Sequence, residues 1–117
     1  MNEQPQSDVS YRDSVGVVSL QGEVDIVRAH GLREHLVSLI RNEDLGLVVD
    51  LSEATYIDSA GVSLLFELAE RLVERRLRLA VVVPDGGLVT RVLRIVNLKS
   101  VAEVHATVGD AVAAIHD

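Results

Sequence analysis

Two near-continuous apolar runs, Gly46 to Leu51 and Leu79 to Val83, stand out along the chain. Runs of this length without alternation mark strands covered on both faces, as in a parallel sheet. Pro84-Asp85-Gly86-Gly87 ends the second with turn chemistry. Upstream, Asp8 to Tyr11 alternates weakly, Arg12-Asp13-Ser14 reads as a turn, and Val15 to Leu20 is a further strand, which together predict a hairpin. Gln21 to Asp25 is expected to be the exit loop. From Ile26 to Arg41 the apolar residues Ala29, Leu32, Leu36, Leu39 and Ile40 recur at helical spacing, with Asp25 placed to cap that helix.

Ser52 to Ile57 is expected to be a connecting loop. The next helix, about Ala60 to Arg75, gathers Val62, Leu65, Phe66, Ala69, Leu72 and Val73 into one arc. Ser63, Glu67, Glu70 and Glu74 fall opposite, and Leu64 lies outside the arc on the polar side. A helix over about Leu88 to Val96, a strand over Val101 to Val104 and a helix over about Gly109 to Ile115 complete the chain. Helix and strand alternate after an opening hairpin. That order predicts an α/β sandwich with a mainly parallel central sheet, an antiparallel edge and about four helices. The expected organisation is a flexible tail over residues 1–7 and one domain over 8–117.

Composition narrows the functional classes. The 117 residues carry a net charge of −7, which disfavours polyanionic partners such as nucleic acid and acidic membranes. Lys99 is the sole lysine, and the cluster Arg71, Arg75, Arg76 and Arg78 suits the solvated end of a helix. Without cysteine, neither disulfides nor thiol catalysis are possible. No run reaches the ~20 apolar residues that span a bilayer, and the polar start from Met1 to Asp8 is unlike a signal peptide. The expected location is the cytoplasm.

Candidate chemistry concentrates in Asp58-Ser59-Ala60-Gly61, which joins the Ser52–Ile57 segment to a helix. A helix start exposes unpaired N–H groups and a partial positive charge, so it can hold a phosphate. Phosphorylation of Ser59 would add about −1.5 to −2 charge and three acceptor oxygens to a docking surface. Capping is the other reading of the same residues, since Ser and Asp both accept hydrogen bonds from free N–H groups at helix starts.

Enzymatic readings fit poorly. A nucleophile elbow requires glycine two residues before the serine, where Ile57 stands. His30, His35, His105 and His116 show no metal-binding i, i+4 pairing, and the chain has no glycine-rich phosphate loop. A receiver domain would place a lysine at the end of a late strand, whereas Lys99 precedes its strand. No enzyme activity, metal or cofactor is expected.

Two segments resemble the STAS domains, and among them the bacterial anti-sigma factor antagonists. Leu20-Gln21-Gly22-Glu23-Val24-Asp25, with Leu32-Arg33-Glu34-His35-Leu36 beyond it, is similar to that family's first loop and helix. Val48-Val49-Asp50-Leu51 through Tyr56-Ile57-Asp58-Ser59-Ala60-Gly61-Val62 is similar to its strand, loop and phosphoacceptor turn. The resemblance implies that Ser59 is phosphorylated by an anti-sigma factor of the histidine-kinase-like ATPase type. It further implies that the unmodified protein binds that kinase and frees a sigma factor, and that a serine phosphatase restores it. Asp25 and Asp58 match acidic positions beside the acceptor. Ala60 departs from the Ser or Thr common there. The expected partner surface comprises Asp25, Asp58, Ser59, Ala60, Gly61, Ser63 and Leu64, with Gly61 admitting a partner backbone. The alternative is a constitutive scaffold subunit of a lipid-transport or stress-signalling complex.

Overall fold

The computed structural model describes residues 7–117. Strands β1 (Ser7–Tyr11) and β2 (Val15–Leu20) pair antiparallel, and β2 continues in parallel to β4 (Gly46–Asp50), β6 (Arg78–Val82) and β7 (Glu103–His105). The expected tail lies outside the described residues except for Ser7, which belongs to β1. The hairpin turn is two residues long. Asp13 and Ser14 both take positive φ, the geometry whose twist matches paired strands, while Arg12 and Val15 exchange backbone hydrogen bonds.

Alternate residues of the central strands enter two separate cores. Val18, Leu20, Leu47, Val49, Leu79 and Val81 meet α1 (Ile26–Ser38), α2 (Ser59–Glu74) and α3 (Leu88–Ile95). Val15, Val17, Val48, Ala80 and Val82 meet α4 (Val108–His116) through Ala111 and Ile115. This two-sided cover explains why the strands read as unbroken apolar runs. A 3₁₀ turn over Leu98–Ser100 links α3 to β7. The four helices and mixed, mostly parallel sheet match the expected α/β class.

Three features differ from the sequence reading. First, Gly22–Val24 and Ala54–Ile57, expected to be loops, are short strands β3 and β5 that pair with each other in a small parallel sheet. Second, the buried face of α2 comprises Gly61, Leu64, Leu65, Leu68, Ala69 and Leu72. Leu64 is only 2% exposed, in one core cluster with Ala29, Leu32 and Leu36 of α1, whereas Val73 is 65% exposed. Packing against α1 as well as the sheet turns the apolar face toward Leu64 and Leu68. Third, β7 begins at Glu103 rather than Val101, because the 3₁₀ turn takes up the preceding residues.

The hairpin is tied to the end of α1. The Tyr11 hydroxyl donates to the Leu39 carbonyl at 2.7 Å, and the Arg41 guanidinium carbon lies 3.7 Å from the Tyr11 ring centroid. Arg41 in turn pairs with the buried Asp44, Nη2 to Oδ1 at 2.9 Å. Among the described residues no helix is long and apolar enough to cross a membrane.

Candidate functional site

The two sequence segments singled out above meet at one end of the fold. β3 runs parallel to β5 with Glu23 opposite Tyr56 and Val24 opposite Ile57, and the Asp58 N–H donates to the Val24 carbonyl at 3.3 Å. Both strands therefore end side by side, and each feeds directly into a helix. Asp25 caps α1, its Oδ1 accepting from the Arg28 N–H at 3.2 Å. Arg28 holds the same corner by donating from Nη1 to the Gln21 and Glu23 carbonyls at 2.7 and 2.5 Å.

Asp58 serves two helices at once. Its Oδ1 accepts from the Gly61 N–H at 3.0 Å, which caps α2, while Oδ2 accepts from the Ile26 N–H at 3.1 Å at the start of α1. A single carboxylate thus satisfies donors that each helix start would otherwise leave open.

Asp58 is the cap, and Ser59 is the first helical residue. The Ser59 side chain is exposed, and among the described residues its hydroxyl makes no hydrogen bond. The oxygen is therefore accessible, uncommitted, and held where helix N–H groups favour negative charge.

Gly61 has a different reason from the one expected. It is buried, and a Cβ there would collide with the Val24 carbonyl oxygen and lie 2.6 Å from Ile57 Cγ1. The glycine lets α2 approach the molecule's own β3, so it does not face a partner. Leu64 is likewise withdrawn from the surface, against α1. Ala60 is half-buried and Ser63 exposed. Both line a cleft of about 340 Å³ between α1 and α2, whose walls include His30 and Arg33. An Arg33–Glu67 ion pair at 3.2 Å crosses it.

Sequence reasoning overlooked apolar residues around this corner. Ile26 is 71% exposed, Val27 83% and Tyr56 42%. Ile26 and Val27 stand off the Ala29, Leu32 and Leu36 face of α1, a mismatch visible in the helical spacing. Among the described residues no three His, Asp or Glu side chains converge to hold a metal ion.

Residues 6–111 match the family model described as the STAS domain. The chain belongs to the STAS domain family. A curated relative of this STAS domain, the anti-sigma-F factor antagonist RsfB of Mycobacterium tuberculosis, is 25% identical over 107 residues, covering 92% of this chain and 86% of its own. The crystal structure of an anti-sigma factor antagonist from Mycobacterium paratuberculosis matches with a TM-score of 0.84 and 29% identity, over 95% of this chain and 93% of that one. SpoIIAA from Bacillus, in its unphosphorylated form, shares the fold of this STAS domain. Its TM-score is 0.69 at 16% identity, over 94% of this chain and 97% of that one.

Proposed function

We propose that this STAS domain is an anti-sigma factor antagonist whose binding to a kinase-type anti-sigma factor is switched off by phosphorylation of Ser59. The observation that carries the reading is the exposed, uncommitted Ser59 hydroxyl at the first position of α2, with Asp58 doing the capping. The relatives named anti-sigma factor antagonists at 25% and 29% identity support the general role.

In the unmodified state the partner docks over the start of α2 and the exposed apolar pair Ile26 and Val27. Transfer of the ATP γ-phosphoryl group to Ser59 Oγ releases ADP and places a dianion beside Asp58. The free protein tolerates it, because the helix start favours negative charge. A docked partner does not. Burying that dianion next to a carboxylate and among apolar side chains carries a desolvation cost and like-charge repulsion. A loss of about 3 kcal/mol lowers affinity by more than a hundredfold. A serine phosphatase then restores the binding form.

Phosphosite mapping tests this reading. The protein is incubated with ATP and each kinase-type anti-sigma factor of its own genome, and the modified residue is located by mass spectrometry. Phosphate on Ser59, abolished in Ser59→Ala, is the expected result. Stable binding without modification of Ser59 would instead fit a constitutive scaffold and overturn the switch.

A further inference from the structure

A second cavity, of about 350 Å³, opens at the other strand ends, where β6 and β7 give way to Val83 and Ala106. In parallel sheets the carboxyl ends of strands are where ligands bind, and this volume lies within the range of small-molecule pockets. Its inner wall is apolar and buried, built from Val83, Leu93 and Leu98. Its rim carries Arg94, Lys99 and His105. Arg33, Arg41 and Arg78 each have a carboxylate partner, but Arg94 and Lys99 have none among the described residues. In a chain of net charge −7, the sole lysine and an unpaired arginine thus border one cavity with an apolar inner wall.

We propose that this cavity binds a small molecule with a compact apolar or planar body and one anionic head group, a carboxylate or a phosphate, held by Arg94 and Lys99. The body packs on Val83, Leu93 and Leu98, which excludes water from the wall. The head group meets the two cations at the rim through charge-assisted hydrogen bonds, which are stronger than neutral ones. Asp85, also on the rim, limits the ligand to a single anionic end, because a second would face its carboxylate. None of the lining residues belongs to the Ser59 corner, so this site stands or falls independently of the phosphorylation switch.

The test is an amide NMR titration of the isotopically labelled full chain with benzoate, phenyl phosphate and the neutral benzamide. Saturable shifts over residues 93–98 and 104–106 are expected with at least one anion, and the tighter anion identifies the head group. Arg94→Ala and Lys99→Ala should each weaken binding about tenfold or more. Arg91→Ala, exposed on the same helix but outside the cavity, should leave it unchanged. Because all three side chains are exposed, the dispersion of each variant's own spectrum verifies folding. The proposal is overturned if neither anion saturates, if benzamide binds as tightly, or if affinity survives both cavity substitutions.

Discussion

Asp58 and Ile26, separated by 32 positions in sequence, are joined by a 3.1 Å hydrogen bond from the Ile26 N–H to the Asp58 carboxylate. Because the same carboxylate caps α2 through Gly61, the starts of α1 and α2 are locked together beside Ser59. One side chain thus ties the two helix starts to each other. Asp58→Ala should lower stability by about 1–3 kcal/mol, since two helix-start donors lose their acceptor. Asp58→Asn keeps one acceptor oxygen and should cost roughly half as much. Chemical denaturation of the three proteins measures both, and equal stability of all three would contradict the shared cap.

Two helical glycines should respond in opposite directions to alanine. Gly61→Ala pushes a Cβ into the Val24 carbonyl and Ile57, and overpacking of this kind costs about 1–3 kcal/mol. Gly31, exposed within α1, has nothing within 4 Å of its would-be Cβ. Gly31→Ala should therefore stabilise by about 0.5–1 kcal/mol through helix propensity. Thermal melts of the pair separate internal close packing from a mere preference for small residues.

Sequence and structure agree where a local pattern has one cause. β4 and β6 are covered on both faces, so Leu47 to Val49 and Leu79 to Val82 are unbroken apolar runs and the strands are unmistakable. β3 and β5 are only three and four residues long, and their partners are each other, so no local period betrays them. The β-branched and aromatic run Thr55-Tyr56-Ile57 is the residual signal. On α2, spacing gives the existence of an apolar face but not how many neighbours it serves, which is why Leu64 reads as exposed and is buried. Gly61 shows the same limit. A small residue announces a close approach, and only the fold shows that the approaching chain is Val24 of the same molecule.

Asp44 should make the protein acid-sensitive. Burial pushes its carboxyl up, but the hydrogen bonds from the Arg41 side chain and backbone, together with the Arg41 charge, outweigh that and hold it below the ordinary value. A carboxylate with a lowered folded-state pKa stabilises the fold above its unfolded pKa, about 3.9, and loses that contribution as pH falls through the folded value. The stability difference between the native protein and Asp44→Asn should accordingly stay level from pH 7 to about 5 and shrink below about 4. Denaturation midpoints across that range check the slope. A constant difference down to pH 2 would contradict the ion pair.

Val27, the most exposed of the large apolar side chains among the described residues, offers a test of the docking surface that leaves the fold alone. Val27→Asp should change stability by less than about 0.5 kcal/mol, as surface substitutions do. Affinity for the anti-sigma factor should fall about tenfold or more, because a charge would enter a desolvated contact. Calorimetric titration alongside a melt gives both numbers, and unaltered affinity would move the interface elsewhere.

The most direct measurement is the dissociation constant of one kinase-type anti-sigma factor for two preparations of this protein, stoichiometrically phosphorylated on Ser59 and unmodified. A hundredfold or greater weakening, about 3 kcal/mol, is predicted for the phosphorylated form. Equal affinity of the two preparations would contradict the switch.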